Sequence, residues 1–186
     1  TAHAQSPGCN ALELTRSPSY VRVQHNDALV PNRITVEAWI QVASNSSGKI
    51  LSKQSSSTGQ HSWELSLNDL RLTFAIRGSS TRVATLAPST ARVPMGVPTH
   101  VAASWDGATT RLYVNGRRVA SSAARVGTPL RTAGELRIGQ GSVLQSKFQF
   151  LGRLDEVRIW NTVLSDAQIA NFRTRILSGL PGQVAS

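Results

Sequence analysis

The run THVAASWDGATTRLYVNGRRV, Thr99 to Val119, holds two turn signals a few residues apart, each followed by alternating apolar and polar positions. Val101, Ala103 and Trp105 lead into Asp106-Gly107, Leu112 and Val114 lead out, and Asn115-Gly116 turns the chain again toward Val119. A period of two belongs to half-buried strands, and Asn-Gly supplies the positive φ values of a tight hairpin turn. Two hairpins back to back require a sheet.

The same device recurs on both sides of this run. In RITVEAWIQV, Ile34, Val36, Ala38, Ile40 and Val42 share one face, and Thr35, Glu37, Trp39 and Gln41 share the other. In HSWELSLNDLRLTFAI, Trp63, Leu65 and Leu67 alternate, Asn68-Asp69 turns the chain, and Leu70, Leu72, Phe74 and Ile76 alternate back. Further strands are predicted at 11–14, 20–23, 49–52, 82–86, 135–139 and 152–160. So many short strands predict an all-β fold, an antiparallel sandwich of two sheets. One short C-terminal helix is signalled by LSDAQIANFRTRIL, with Ser165 as N-cap, Gln168 three residues later, and Ile169, Phe172 and Ile176 at helical spacing. It is predicted to plug one end of the sandwich. Loops are expected at 44–47, 55–60, 88–98 and 140–148, and the folded domain over 10–178, with tails at 1–9 and 179–186.

At 186 residues, 40% hydrophobic and 16% charged, the chain suits a single turn-rich domain. No apolar run approaches the roughly 20 residues of a membrane helix. The single cysteine, Cys9, cannot form an internal disulfide. A formal charge of +10 attracts polyanions. Its seventeen Arg and three Lys are scattered, however, with only Arg117-Arg118 adjacent, and no basic tail or helix gathers them as nucleic-acid binding would require. Ala2-His3-Ala4 has the small-x-small form of a signal-peptide cleavage tail.

Taken in order, ALELTRSPSYVRV, ITVEAWI, ILSK, HVAASWDGATTRLYVNGRRV, ELRIG and LGRLDEVRIWNTVLSDAQI resemble the laminin-G-like and pentraxin branch of the concanavalin A-like lectin/glucanase superfamily. The resemblance implies a jelly-roll sandwich from a secreted or cell-surface protein. HVAASW is similar to the pentraxin signature, except that Ala102 replaces its Cys, which implies that the pentraxin disulfide is absent. The loops corresponding to the pentraxin calcium site read KQSSSTGQH and GQGSVLQSKF and contain no carboxylate, although hard cations need oxygen ligands that usually include one. A second calcium position of the superfamily, on the convex side, would fall on Asp155, with partners near His25 to Asp27. A structural calcium ion held by Asp155 and Asp27 is therefore an expectation, against a plainer role for Asp155 in capping a strand or pairing with an Arg.

Glycosidases use two carboxylates facing each other across the sugar. The Glu-x-Asp-x-Glu pattern of the superfamily's hydrolases does not occur here. Glu37 and Glu156 lie on polar strand faces, where Arg158 offers ion pairing as the alternative. The histidines show no metal-site spacing, and His100 reads as structural. Trp39 and Trp160 fall in phase with Glu37, Glu156 and Arg158, so that face is a candidate carbohydrate platform unless loops cover it. Trp63 and Trp105 belong to the core. By analogy with the pentraxin ligand loops, Gln54, His61, Gln140, Gln145 and Lys147 would hydrogen-bond a ligand. The reading that joins these points is a non-catalytic binding module for carbohydrate, with acidic or sulfated glycans favoured by the charge, or for a cell-surface protein. The alternatives are a structural or adhesive accessory domain without a small ligand and, less favoured, a glycoside hydrolase.

Overall fold

The computed structural model describes residues 11–16, 18–44, 47–54, 60–79, 83–86, 91–141, 149–175 and 179–185. Thirteen strands form in chain order: β1 (Leu12–Leu14), β2 (Val21–Val23), β3 (Ile34–Val42), β4 (Lys49–Gln54), β5 (His61–Asn68), β6 (Arg71–Arg77), β7 (Val83–Thr85), β8 (Thr99–Trp105), β9 (Thr109–Val114), β10 (Arg117–Ala123), β11 (Leu136–Ile138), β12 (Gly152–Trp160) and β13 (Gln183–Ala185). One helix, α1 (Asp166–Phe172), separates the last two, and a 3₁₀ turn at Asp27–Leu29 precedes β3. The strands make two antiparallel sheets. One has seven strands in the order β1-β12-β3-β8-β9-β10, with β13 added on β12; the other has six in the order β2-β11-β4-β5-β6-β7.

The opening run is the β8-β9-β10 meander. Asn115 (φ 50°) and Gly116 (φ 77°) make the tight turn between Val114 and Arg117, while Asp106 shapes the preceding loop by accepting the Ala108 and Thr109 N–H groups on Oδ1 at 2.9 and 2.7 Å. The β5-β6 turn lies one residue later than predicted. Asp69 and Leu70 hold positive φ, and Asn68 pairs with Arg71.

One residue row from each sheet fills the core between them: Ile34, Val36, Ala38, Ile40 and Val42 of β3 pack with Trp63, Leu65, Leu67, Leu72, Phe74 and Ile76 of the β5-β6 hairpin. The two core tryptophans satisfy their indoles on main-chain carbonyls, Trp63 on Leu29 and Trp105 on Ala124, both at 2.8 Å. β4 breaks its alternation. After a bulge between Lys49 and Leu51, Lys53 follows Leu51 into the interior opposite Trp63, where it is buried and donates to the carbonyls of Thr132 (3.0 Å) and Gly134.

The helix departs from the expected end plug. Seven residues are too few to hold a helix in water unaided. Ser165 and Gln168 form the capping box, and α1 lies on the outer face of the seven-stranded sheet, where Ile169 is buried with Ala102, Tyr113, Trp160 and Leu164 in a second apolar cluster. The chain past 178, expected as a tail, returns as β13 and hydrogen-bonds β12, because β12 has a free flank beyond Ile159 once β1 has ended at its other end.

Candidate functional site

The outer face of the seven-stranded sheet was the candidate platform, and the structure closes it. Glu37, Trp39, His100, Arg158 and Trp160 do share that face, but all are buried under α1 and the residues after it. Glu37 is the hub. Its Oε1 accepts from Arg158 Nη1 and Trp160 Nε1, both at 3.2 Å, and its Oε2 from His100 Nε2 at 3.1 Å. Burial alone would raise the Glu37 carboxyl pKa; the His100 hydrogen bond and charge together with Arg158 outweigh it and hold the group below its ordinary value.

Arg158 extends the network to the helix. Its guanidinium donates to the carbonyls of Phe172 (3.2 Å) and Arg175 (2.7 Å) and to the carboxylate of Glu156, while Trp39 Nε1 donates to Arg173 O at 2.8 Å. The last carbonyls of a helix lack intrahelical donors, and these side chains supply them. Trp160 stacks on Phe172 with ring centroids 5.6 Å apart. The aromatic and acidic residues read as a sugar platform therefore fasten the C-terminal segment, and neither ring of Trp39 nor Trp160 faces solvent. Glu37 and Glu156 converge on one guanidinium, with Glu37 sealed from water.

The outer face of the six-stranded sheet is different. A groove of about 340 Å³ runs over the β4-β5-β6 region, lined among others by Lys49, His61, Glu64, Ser66, Asn68 and Thr73. These positions follow from the strand period: Glu64, Ser66 and Asn68 point out because Trp63, Leu65 and Leu67 point in. Lys49 Nζ and Glu64 Oε1 form an ion pair across β4 and β5, and His61 Nδ1 lies 4.0 Å from Glu64 Oε2. Burial, joined by Arg77 and Lys49, lowers the His61 pKa against the pull of Glu64, so the imidazole is neutral at neutral pH. Its Nε2 finds no partner among the described residues.

Two of the other expected ligand residues stand beside this groove. Gln54 pairs with His61 across β4 and β5 and donates to Ser52 Oγ at 2.6 Å. Gln140 immediately precedes Gly141, where an added Cβ would come within 3.1 Å of Lys49 Cγ and 3.7 Å of Gln54 Nε2. Both glutamines are buried, and the Oε1 of each lacks a partner among the described residues. The structure thus sets Gln54 opposite His61, and places Gly141, the residue after Gln140, close to Lys49. Gln145 and Lys147 lie outside the described residues, as does Cys9. The sequence reading missed Lys49, Glu64, Ser66, Asn68 and Thr73. For Glu64, Ser66, Asn68 and Thr73 the signal was the polar phase of the hairpin whose apolar phase was read as core; Lys49 opens the neighbouring strand β4.

The expected calcium partners, Asp155 and Asp27, fall on different elements. Asp155 lies opposite Trp39, at a β-bulge whose next residue, Glu156, has φ 51°, and its Oδ1 accepts the Glu156 N–H at 2.8 Å. Asp27 sits in the 3₁₀ turn, exposed, with His25 Nε2 at 3.3 Å. Among the described residues no three of His, Cys, Asp and Glu group as a metal site. The side chains at Asp155 fit calcium only if main-chain oxygens complete the set.

Two antiparallel sheets, one shielded by a helix and the other open over a polar groove, define a lectin-like β-sandwich. The chain belongs to the laminin G family of the concanavalin A-like lectin/glucanases superfamily, whose sequence model matches residues 16–170. It is 23% identical to pappalysin-1 of Mus musculus over 91% of its own length, and it spans 11% of that protein. Among solved structures it is similar to domain 4 of AbnA, a GH43 extracellular arabinanase from Geobacillus stearothermophilus in complex with arabinotriose, with a TM-score of 0.67, 20% identity and coverage of 90% of this chain and 79% of that one. The heptameric SAP-like pentraxin from Limulus polyphemus superposes with a TM-score of 0.66 at 18% identity, covering 88% of this chain and 80% of that one.

Proposed function

We propose that the domain is an extracellular carbohydrate-recognition module that takes a neutral, polyhydroxylated glycan segment in the groove on the six-stranded sheet. The observation that carries this reading is the chemistry of the lining. Lys49 and Glu64 cancel each other, His61 is uncharged, and the rest of the described lining is hydroxyl, amide or apolar, with no arginine among the described lining residues although the chain has seventeen. Paired charged groups beside Ser, Thr and Asn offer donors and acceptors in alternation, which suits vicinal hydroxyls. The solved relative that holds arabinotriose supports the same ligand class. The net charge favours acidic or sulfated glycans at long range, but the described lining of this groove holds no fork of guanidinium groups to grip them.

Calorimetric titration with neutral and sulfated oligosaccharides, at low and high salt, tests the proposal. Neutral glycans are expected to bind with an affinity indifferent to salt, since an uncharged ligand has little to screen. Glu64→Gln and Asn68→Ala should each weaken binding by about tenfold or more, the loss expected for one hydrogen bond to a charged or fixed polar group. Binding confined to sulfated glycans, steep in salt and untouched by these substitutions, would overturn it.

A further inference from the structure

Five described strands lie at the margins of the two sheets, and four of them are minimal: β1, β2, β7 and β13 have three residues each. A short margin exposes few unpaired main-chain groups, which is one way that proteins prevent stray strands from adding. β10 is the exception. It has seven residues, about 23 Å of extended chain, and among the described residues its one ladder partner is β9. Arg117, Arg118, Ser121, Ser122 and Ala123 are all exposed.

The charge along this margin has one sign. Arg117 and Arg118 begin the strand, Arg125 follows it in an exposed position, and no acid occurs between 107 and 134. Asp166 lies 3.7 Å from Arg118, and Asp106 is engaged by Arg111 at 2.8 Å. Arg117 and Arg125 have no carboxylate within ion-pair distance among the described residues. Basic residues and bulges can also guard an edge. Here the bulge falls between Arg118 and Ala120, which leaves Ala120 to Ala123 as a small, uncharged stretch where an incoming backbone meets no bulk.

We propose that β10 is a docking edge for an extended acidic segment of a partner polypeptide, which adds as a further strand beyond β10. Main-chain pairing would supply the hydrogen bonds, and the three arginines would select for acidic side chains. A second copy of this chain is a poorer occupant, because it would bring +10 against +10.

A fluorescently labelled octapeptide of alternating Glu and Val, compared with Gln-Val and Lys-Val versions, tests the assignment. The Glu-Val peptide should bind, lose about tenfold or more in affinity from low to high salt, and protect amides of Ser121 to Ala123 from hydrogen exchange. The triple variant Arg117→Glu, Arg118→Glu and Arg125→Glu should lose that binding while still taking up the groove ligand and melting as the wild type does. Neighbouring N–H groups of a strand point to opposite sides, so of Ser121→Pro and Ser122→Pro one should spare the fold, and that variant should also lose the peptide. Equal binding of the Gln-Val peptide, protection elsewhere than in β10, or a chain that dimerises through β10 in sedimentation would each overturn the proposal.

Discussion

Replacing Arg158 by Met removes the cation at the centre of the buried cluster while keeping an apolar stem of similar length. Glu37 would retain His100 and Trp160 as donors but lose its guanidinium, and the carbonyls of Phe172 and Arg175 would lose the N–H groups that terminate the helix. Removing one member of a buried ion pair costs about 3–5 kcal/mol, because the remaining charge stays out of water. In a domain of this size each kcal/mol moves the melting temperature by roughly 2–4 °C, so Arg158→Met should melt roughly 6–20 °C lower. The double variant Arg158→Met with Glu37→Met removes both members of the Arg158–Glu37 ion pair, and most of the loss should return. Urea unfolding of the two single variants and the double gives the coupling directly, and hydrogen exchange should show α1 opening first. Acid provides a second readout. The Glu37 carboxyl titrates below its ordinary 4.5, so its contribution is whole above that pH and fades as the pH falls through the lowered value; in the double variant this acid-sensitive part should be missing. An Arg158→Met domain within about 1 kcal/mol of wild type, or a double variant no better than the single, would refute a buried, mutually dependent cluster.

Other outcomes can be checked separately. Lys53 has its pKa lowered by burial to about 8 from 10.5, against a raising influence of Asp27, so between those values the unfolded chain holds more protons and stability should rise with pH, by about 2–3 kcal/mol between pH 8 and 10. Lys53→Met should flatten that slope in denaturant titrations; Tyr113, whose pKa burial raises, lowers stability only above pH 10. Gly152→Ala would place a Cβ 2.1 Å from the carbonyl oxygen of Gln41 at φ 149°, and a loss of about 2 kcal/mol or more in urea unfolding is expected. If main-chain oxygens complete a calcium site at Asp155, calcium should raise the melting temperature and Asp155→Asn should abolish the rise, whereas identical melting in calcium and in chelator would discard the ion.

Strands announced themselves in the sequence because burial of one face imposes a period of two, and Asn115-Gly116 fixed its turn through φ values that few residue pairs adopt. Faces were harder to read. Glu37, Trp39 and Trp160 form a polar-looking row, and nothing local in EAW or VRIW tells whether such a row meets water or a helix from the far end of the chain. The capping box of Ser165 and Gln168 showed where α1 starts without showing where it docks. Lys53 escaped notice because a lysine in phase with Leu51 is a residue type seldom buried, and β13 because three residues are too few to display a period. Of the groove lining, His61 was singled out through loop resemblance, whereas Glu64 and Ser66 were concealed by their own regularity as the unremarked half of a hairpin.

That hairpin separates two kinds of selection on one piece of backbone. Changes at Trp63, Leu65 or Leu67 are judged by whether the domain folds, and, under the proposal that this groove takes the ligand, changes at Glu64, Ser66 or Asn68 by what it recognises. Such a layout lets ligand preference drift between descendants of one scaffold at little risk to their folding, and it makes the outward positions of β5 and β6 the natural place to build a library of altered binders.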